Sequence, residues 1–436
     1  MNSIKCRIFG RIIIGLSMIC GSTLLAFAGG ADVIREWNLE AARLAVPSGP
    51  PVHQTRILAI HQLAVHDAVN GITGRYETYL SPGDAPAGAS PQAAAIAASF
   101  QVLCAIYDTQ CLSLSIKALN SLAAEGLSAD DPGVDYGISA ANAILAARAN
   151  DRSALAFSQF TFDPMIFLPG VWHPRAGQTA LRAGWGNVTP FVLRSASQFR
   201  PEPPPALDSE IYLRDLEEVR VLGKKNNLCT TPGQTDCRTT GQTTIALFWR
   251  DGSPVAVWNQ PMRHFSLQAG MDISTAARAF AMLNLTGADS GIACWEAKYG
   301  IDSISGGYNF WRPQAAINYA DGNTLWEPEH TTPPHPEYPS GHTANSTAMA
   351  TILSFIFGEH PGGKIAATVN TNSPLGAVTR EWDSFSEAGD EVIDARIYSG
   401  IHFRNTDEVG SKLGSQVARF AWTHALRDCK GNGRCK

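Results

Sequence analysis

The amino-acid sequence predicts a mainly α-helical protein built from two helical bundles. Apolar residues recur at three- and four-residue intervals along several long segments, whereas the alternating runs typical of strands are scarce. The chain has 436 residues, of which 44% are hydrophobic, so it is long enough to bury one large core or two. Helices that each carry an apolar face are buried most simply by packing against one another.

The helical patterns occur in both halves of the chain, and clusters of glycine and proline separate them. Ser90 followed by Pro91 is typical of an N-cap residue and the first residue of a helix. The clearest patterns cover Ile57 to Val69, Pro91 to Ala105, Val134 to Ala149 and Met271 to Leu285.

A proline-rich stretch, Arg-Pro-Glu-Pro-Pro-Pro-Ala at residues 200–206, divides the chain. Because prolines interrupt helices, this stretch is the best candidate for the connection between the two bundles. We therefore predict an N-terminal bundle at 29–200, a connecting segment at 201–242, a C-terminal catalytic bundle at 243–428 and a tail at 429–436.

The first 28 residues are predicted to be a cleaved signal peptide. Three basic residues, Lys5, Arg7 and Arg11, precede an apolar run that ends in Ala-Phe-Ala, the pattern that signal peptidases cut. An uncleaved membrane anchor is the alternative, because the run approaches the length that spans a bilayer. No later stretch is long or apolar enough to span, so we expect an exported protein, periplasmic or secreted, without a stable membrane span.

Charge argues against nucleic acid as a partner. The net charge is −5, and removal of the three basic residues of the signal segment would take it to −8. A chain that binds nucleic acid usually carries a basic patch or a basic overall balance.

Six cysteines beyond the signal segment form close pairs in the sequence, Cys104/Cys111, Cys229/Cys237 and Cys429/Cys435. An oxidising compartment would allow each pair to form a disulfide. The first pair requires a break near Tyr107, because residues seven apart on an unbroken helix are about 10 Å apart. Cys294 is left over in an apolar helical run and is predicted to be a buried thiol.

Three short segments of the C-terminal half carry the candidate chemistry, and the first is Tyr338-Pro-Ser-Gly-His342. It directly precedes an apolar run that is predicted to form a helix ending near Gly358. The unpaired amides of a helix N-terminus, together with Ser340 and Gly341, can bind an oxyanion. An ordinary capped helix is the alternative.

Two further segments supply cations and a second histidine. Arg396 and His402 would point about 240° apart on an unbroken helix, but Gly400 between them permits a break that lets both converge. Arginine binds oxyanions with a planar fork, and neutral histidine offers a ring nitrogen for a covalent or coordinate bond. Lys298 and Arg312 add two more cations, so the set predicts a tetrahedral oxyanion site with an acid/base group. Each of these residues taken alone would be an ordinary surface or core residue.

The three segments resemble the signature of the vanadium-dependent haloperoxidases and of the related acid phosphatases in the type-2 phosphatidic acid phosphatase superfamily. Residues 65–70, 185–191 and 197–201 also resemble bacterial haloperoxidase-like chains, so the likeness spans most of the sequence. The resemblance implies a pair of four-helix bundles with the anion site in the C-terminal one. It also implies vanadate as the cofactor, and hydrogen peroxide, a halide and a small organic acceptor as reaction partners; an oligomer is possible.

Carried over by position, the resemblance implies that His402 is the axial ligand to vanadium and that His342 is the acid/base. The groups that would hold the vanadate oxygens are Lys298, Arg312, Ser340, Gly341 and Arg396. In the implied reaction Lys298 also polarises the peroxide, and halide attack yields a hypohalous-acid equivalent while vanadium acts as a Lewis acid of constant oxidation state.

Two neighbouring residues bear on the choice of halide. Trp295 matches an aromatic residue on the halide side of the family's site, and His335 stands where members that use bromide often have histidine. The resemblance therefore implies bromide or iodide rather than chloride. His335 lies in a run of prolines, so an exposed loop histidine is the alternative.

The spacing between Lys298 and Arg312 departs from the family pattern. It is fourteen residues rather than about seven, and residues 300–306 look like an insertion that would displace Lys298 unless it forms a loop. Pro313 is expected to end a helix behind Arg312.

The residue four positions after His402 is the second departure. The family has aspartate there, whereas this chain has Thr406 with Asp407 next to it. Because that aspartate supports the nucleophilic histidine of phosphatase members, its absence argues against phosphatase activity.

Two other functions remain open. An exported acid phosphatase would use the same pocket, with His402 attacking phosphorus and His342 protonating the leaving alcohol. A non-enzymatic protein that binds an oxyanion would result if a displaced Lys298 had removed catalysis.

Overall fold

The computed structural model describes residues 30–154, 168–175, 177–300, 306–322 and 325–429. This part of the chain is mainly α-helical, as predicted, and it includes one small antiparallel sheet. The predicted signal peptide, most of the predicted insertion and the end of the predicted tail lie outside the described residues.

Five helices form the N-terminal part: α1 (Asp32–Ala45), α2 (Pro51–Thr73), α3 (Pro91–Ile106), α4 (Cys111–Ala124) and α5 (Pro132–Arg148). The Ser90 hydroxyl accepts the Ala93 N–H and so caps α3 as predicted. Helix α2 ends at Gly74, whose φ of 62° is left-handed. It packs against α3 on one side and against a helix of the C-terminal half on the other.

The middle of the chain contains a short 3-10 helix (Ala183–Asn187), followed by α6 (Glu210–Leu222), α7 (Thr240–Asp251) and α8 (Pro254–Gln268). Thr239 and Gln242 form a capping box at the start of α7, in which each side chain pairs with the other residue's backbone N–H. Ser253 caps α8, which has Pro254 at its first position.

The C-terminal part contains α9 (Ile273–Tyr299), α10 (Pro313–Ala320), α11 (Gly341–Phe357), β1 (Ile365–Asn370), β2 (Ala377–Trp382), α12 (Phe385–Tyr398) and α13 (Arg404–His424). Helix α9 is buried along nearly its whole length, which is typical of a helix that is surrounded by others. It packs against α2, α11 and α13. Gly287 and Gly291 let Met349 of α11 and Val52 of α2 come close to its backbone.

The β1–β2 hairpin was not predicted from the sequence. Its strands pair in antiparallel register from Ile365 opposite Trp382 to Asn370 opposite Ala377. Burial alternates along β1, which packs against α8. Each strand is only six residues long, so its alternating pattern is a weaker signal than the helical patterns around it.

The cysteines follow the predicted pairing where the structure describes them. Cys104 and Cys111 form a disulfide with their Cα atoms 4.6 Å apart, because α3 ends before Tyr107 and a new helix begins at Cys111. The Cys229 and Cys237 Cα atoms are 5.1 Å apart in the second disulfide. Cys429 is also disulfide-bonded, while Cys435 lies outside the described residues. Cys294 is a buried free thiol, as predicted.

Buried apolar side chains form one large cluster that includes helices from both halves of the chain. A smaller cluster joins α6, α10 and the start of α13 around Tyr212, Phe310, Ile317 and Phe403. The division into two bundles joined at 201–242 remains a proposal. No helix among the described residues has both the length and the apolar character needed to cross a membrane.

Candidate active site

A cavity of about 130 Å³, here called the site cavity, lies where α2, α8, α9, α11 and the turn between α12 and α13 meet. Six predicted site residues line it: Trp295, His335, Gly341, His342, Arg396 and His402. Lys298, Arg312 and Ser340 are buried behind this wall, where each contacts or adjoins a lining residue. The structure therefore brings all the predicted site residues to one place.

Helix α11 begins at the site cavity. Ser340 is its N-cap residue, with φ −69° and ψ 126°, but the Ser340 side chain does not cap the helix. The Ser340 hydroxyl faces Asp407, yet it makes no hydrogen bond of good geometry with the described residues. Because the first amides of an α-helix also lack partners, this end presents a hydroxyl and N–H donors at the positive end of the helix dipole.

Gly341 allows α11 to start close to α9. A Cβ atom at this position would lie 2.9 Å from an indole carbon of Trp295 and 3.8 Å from the sulfur of Cys294. The first distance is shorter than a van der Waals contact, so any larger residue would displace the indole or the helix N-terminus.

Arg396 and His402 converge because the helix breaks between them, as predicted. Helix α12 ends at Tyr398, Gly400 has a left-handed φ of 77°, and α13 begins at Arg404. A Cβ atom on Gly400 would lie 2.3 Å from the backbone oxygen of Gly223, so this turn needs glycine for both its conformation and its packing.

Contacts on both ring nitrogens fix the tautomer of His402. Its Nδ1 atom is 2.8 Å from a carboxyl oxygen of Glu337, and its Nε2 atom is 3.0 Å from a terminal nitrogen of Arg312. Arginine can only donate, so Nε2 must accept and Nδ1 must carry the proton that is donated to Glu337. Nε2 is therefore the ring nitrogen with the lone pair, and that lone pair accepts from Arg312.

Arg312 is held between two loops. Its Nε donates to the backbone oxygen of His335 (2.9 Å), and a terminal nitrogen donates to the backbone oxygen of Ile401 (2.8 Å). The other terminal nitrogen is 2.9 Å from His335 Nδ1. Arg312 is the N-cap residue of α10 and Pro313 its first residue. The expectation that Pro313 ends a helix is therefore wrong, because proline at the first position starts one.

Lys298 keeps its place in spite of the longer spacing to Arg312. The chain leaves α9 at Gly300 and returns beside it, since a Cβ atom on Gly307 would lie 2.3 Å from the carbonyl carbon of Tyr299. The Asn309 N–H then donates to the backbone oxygen of Lys298 at 3.0 Å. Because both ends of the extra segment meet, Lys298 is not pushed away from the cavity.

The Lys298 ammonium group donates to the backbone oxygens of Pro336 (2.6 Å) and Glu337 (2.9 Å). It thereby fixes the loop that carries His335 and precedes α11. It also lies 5.9 Å from the ring centre of Trp295, within the range of a cation–π contact.

Burial governs the pKa values of the cations. It lowers the pKa of Lys298 to about 7, and the charge of Arg312 lowers it further. Burial also lowers the pKa of both Arg312 and Arg396 to about 10. Three cations confined in this way gain more from a bound anion than they would in water, because the surrounding dielectric is low.

The three histidines are neutral at pH 7. Burial, reinforced by the charges of the neighbouring cations, lowers the pKa of His335, His342 and His402 well below the usual value. His335 is buried and its ring lies 5.0 Å from that of Trp295, so it is not an exposed loop histidine. A neutral imidazole can accept a proton or donate its lone pair.

Sequence reasoning missed the two buried carboxyl groups of the site. Glu337 accepts from His402, from the Phe403 N–H (3.0 Å) and from the Thr406 hydroxyl (2.7 Å), and burial raises its pKa to about 7. His402 therefore does have a carboxyl partner, which comes from the loop before α11. The only signal in the sequence was the position of Glu337 between His335 and Ser340, two of the predicted site residues.

Asp407 is the second missed group. It is fully buried, and the charges of Arg396 and Arg404 oppose the effect of burial, which raises its pKa well above the usual value. Neither of its carboxyl oxygens makes a hydrogen bond of good geometry within the described part of the chain. Asp407 faces Ser340 and Arg396.

Comparisons with known proteins agree with this arrangement. Residues 278–431, which hold all the site residues named above, match the family model described as the VCPO second helical-bundle domain. No curated protein sequence matched the chain.

Among solved structures, the fold is similar to that of a bacterial vanadium-dependent iodoperoxidase, with a TM-score of 0.74 and 25% identity over 94% of this chain and 99% of the other. It is also similar to a bacterial vanadium-dependent chloroperoxidase. The holo form of that protein gives a TM-score of 0.64 at 17% identity over 92% and 93% of the two chains. The apo form of the same protein gives a TM-score of 0.65 at 16% identity over 93% of this chain and 97% of the other.

Proposed function

We propose that the chain is an exported vanadium-dependent haloperoxidase that uses vanadate and hydrogen peroxide to oxidise bromide or iodide to a hypohalous-acid equivalent. The observation that carries this proposal is the convergence of Arg396, His402 and the N-terminus of α11 on one cavity. Lys298 and Arg312 lie behind that cavity and add positive charge.

The residues of the site fit a tetrahedral oxyanion such as vanadate. The Ser340 hydroxyl and the Arg396 Nε are buried donors without a hydrogen bond of good geometry among the described residues. Leaving such groups unpaired is costly, so they favour a ligand that accepts from both. Lys298, Arg312 and the Gly341 amide would complete the set that holds the anion. When bound there, vanadate would supply a Lewis acid that activates peroxide towards halide.

His402 would hold the anion through Nε2, the nitrogen that carries its lone pair. Glu337 keeps the proton on Nδ1 and so keeps Nε2 unprotonated. An anion bound to Nε2 would replace the hydrogen bond that this nitrogen accepts from Arg312. A carboxyl group on the far nitrogen of a metal-binding histidine commonly fixes the tautomer and raises the basicity of the ligand.

His342 would act as the acid/base. Its side chain lines the cavity, and burial, reinforced by the surrounding cations, lowers its pKa well below the usual value and so keeps it neutral at pH 7. A ring nitrogen of His342 can therefore accept a proton from hydrogen peroxide as it enters and return it later.

Bromide or iodide is the proposed halide. Trp295 and His335 form one aromatic side of the cavity, and such a surface suits large, polarisable anions better than small, strongly hydrated ones. The similarity to an iodoperoxidase supports this choice.

Export is proposed from the signal-like N-terminal segment, together with the disulfides. The described part of the chain contains the disulfides Cys104–Cys111 and Cys229–Cys237, and such bonds are typical of oxidising compartments.

An acid phosphatase remains the second candidate. The Glu337 carboxyl group on Nδ1 of His402 is the arrangement that orients a nucleophilic histidine. The argument against a phosphatase from the missing aspartate therefore loses weight, because Glu337 supplies the carboxyl group instead.

The decisive experiment measures both activities on one preparation of the mature protein. We expect bromide and iodide oxidation by peroxide that requires vanadate and is lost in His402→Ala. Hydrolysis of a phosphate monoester without vanadate, also lost in His402→Ala, would instead establish the phosphatase. Absence of both activities in a folded protein that binds vanadate would overturn both proposals.

A further inference from the structure

The site cavity has an apolar side that the proposed reaction does not use. Its residues come from four separate segments and are Pro51, Val52, Leu181, Pro254 and Pro333. Pro51 and Pro254 are the first residues of α2 and α8, and proline has no N–H to offer an anion. This side therefore suits an apolar ligand rather than a second anion.

One polar side chain, Asn345, faces the cavity beside this apolar side. It lies one turn beyond His342 on α11, and it is only 2% exposed. Its Oδ1 atom has no hydrogen-bond partner among the residues that the structure describes. A side-chain amide offers both donors and acceptors, and a buried one without a partner is costly. Asn345 is thus placed to bind a hydrogen-bonding group of a ligand.

The size of the cavity limits that ligand. A cavity of roughly 150 Å³ holds one benzene molecule, and the site cavity measures about 130 Å³. Because an oxyanion would occupy part of this space, the rest of the cavity can hold only one edge of a single ring, and the remainder of the ring would stay outside. Trp295 borders the same space and offers an aromatic surface to a ring.

We propose that this side of the cavity binds the organic acceptor of the reaction, a neutral single-ring compound with a hydroxyl group that hydrogen-bonds to Asn345. The proposal rests on the proposed function, which supplies the hypohalous-acid equivalent. A ring carbon forms its bond to the halogen as the oxygen–halogen bond breaks, and the ring proton leaves with the hydroxide. One phenol and one hypohalous acid thus give one halophenol and one water.

A ring held by its hydroxyl group presents a fixed carbon atom to the halogen. The ratio of ortho to para products should therefore differ from the ratio that free hypobromite gives in the same buffer. We expect a difference of about threefold or more with phenol as the probe, since a hydrogen bond to a neutral group contributes on this scale.

The test uses vanadate-loaded protein, phenol and bromide, with Asn345→Leu as the main variant. We expect this variant to give the product ratio of free hypobromite, while it oxidises iodide without an organic acceptor as the wild type does. Asn142→Leu, at an exposed position of α5, is the matched control and should keep the wild-type ratio.

Binding provides a readout that does not depend on turnover. Phenol binding to phosphate-loaded protein is measured by saturation-transfer NMR, and we expect Asn345→Leu to weaken it by about three- to tenfold. The Val52→Phe substitution fills the apolar side of the cavity and should abolish phenol binding. If Val52→Phe fails to fold, the result for Asn345→Leu decides the question.

A wild-type product ratio equal to that of free hypobromite, together with no phenol binding, would overturn the acceptor site. Failure of the wild type to oxidise any halide would count against the proposed function instead. In that case the binding measurement still supports or rejects the acceptor site, because it uses phosphate and needs no reaction.

Discussion

Glu337 links the loop before α11 to the start of α13. Its carboxyl group accepts from the imidazole of His402, the N–H of Phe403 and the hydroxyl of Thr406, and all these groups are buried. With both oxygens engaged, the carboxyl group cannot rotate without breaking several hydrogen bonds. The imidazole plane is consequently fixed before any anion binds, which reduces the free energy needed to organise the site.

Glu337→Gln should weaken vanadate binding by about 10- to 100-fold, the range seen when partners of metal ligands are changed. The glutamine amide can donate as well as accept, so it no longer forces the proton of His402 onto Nδ1. The measurement is a vanadate titration of the vanadate-free protein, followed by recovery of halide oxidation, with circular dichroism to verify folding.

Glu359→Gln is the matched control. Glu359 accepts from Ser354 and from the N–H of Ser386 on a different surface groove of the C-terminal part. Its replacement should leave the affinity for vanadate unchanged. Equal affinity of Glu337→Gln and the wild type would show that the carboxyl group does not orient His402.

The turn between α12 and α13 is the element on which the site geometry depends most. Arg396 stands in the last turn of α12, whereas His402 lies just before α13. Gly400 reverses the chain between them and touches the backbone of Gly223. The end of α6 thus supports this turn from behind.

Gly400→Ala should lower the free energy of unfolding by about 3 kcal/mol or more. The left-handed φ costs an alanine about 1–2 kcal/mol, and the contact with Gly223 adds the cost of overpacking. Gly376→Ala is the control, because Gly376 also has a positive φ, of 64°, but an added Cβ atom meets nothing within 4 Å. Urea unfolding with intact disulfides measures the free energy of unfolding of both variants. Equal decreases in Gly400→Ala and Gly376→Ala would show that the contact with Gly223 is unimportant.

Much of this element-level structure follows from sequence. The Ser90 cap, the break at Tyr107 and the break at Gly400 were all predicted, because local chemistry decides each of them. The role of Glu337 was not predicted, since it depends on a contact across 65 residues that no local pattern records. Pro313 was misread because proline ends a helix or starts one according to what precedes it.

At the scale of the whole molecule, buried carboxyl groups attach long loops to the central helices. Asp67 of α2 accepts the N–H groups of Tyr79 and Leu80 at 2.6 and 2.7 Å. Asp289 of α9 accepts three consecutive N–H groups at residues 191–193. Because α2 and α9 pack against each other, the two loops are fixed to one central pair of helices.

The burial of Asp67 makes the free energy of unfolding depend on pH. Burial raises the pKa of Asp67 to about 7, although the N–H groups of Tyr79 and Leu80 oppose the shift. The raised pKa means that the folded chain binds a proton more tightly than the unfolded chain between about pH 4 and 7. The stabilising contribution is complete below the unfolded pKa and is lost as the pH rises through the folded one.

Asp67→Asn removes this titration, because asparagine stays neutral, although it disturbs the contacts with Tyr79 and Leu80 at every pH. The free energy of unfolding of the wild type, minus that of the variant, should therefore fall by about 3 kcal/mol between pH 5 and pH 8. Denaturant unfolding at several pH values measures this difference. Asp130→Asn, at an exposed position, corrects for the loss of one surface charge. A difference that rises with pH would mean that the backbone N–H groups outweigh burial and that Asp67 is ionised when it holds the loop.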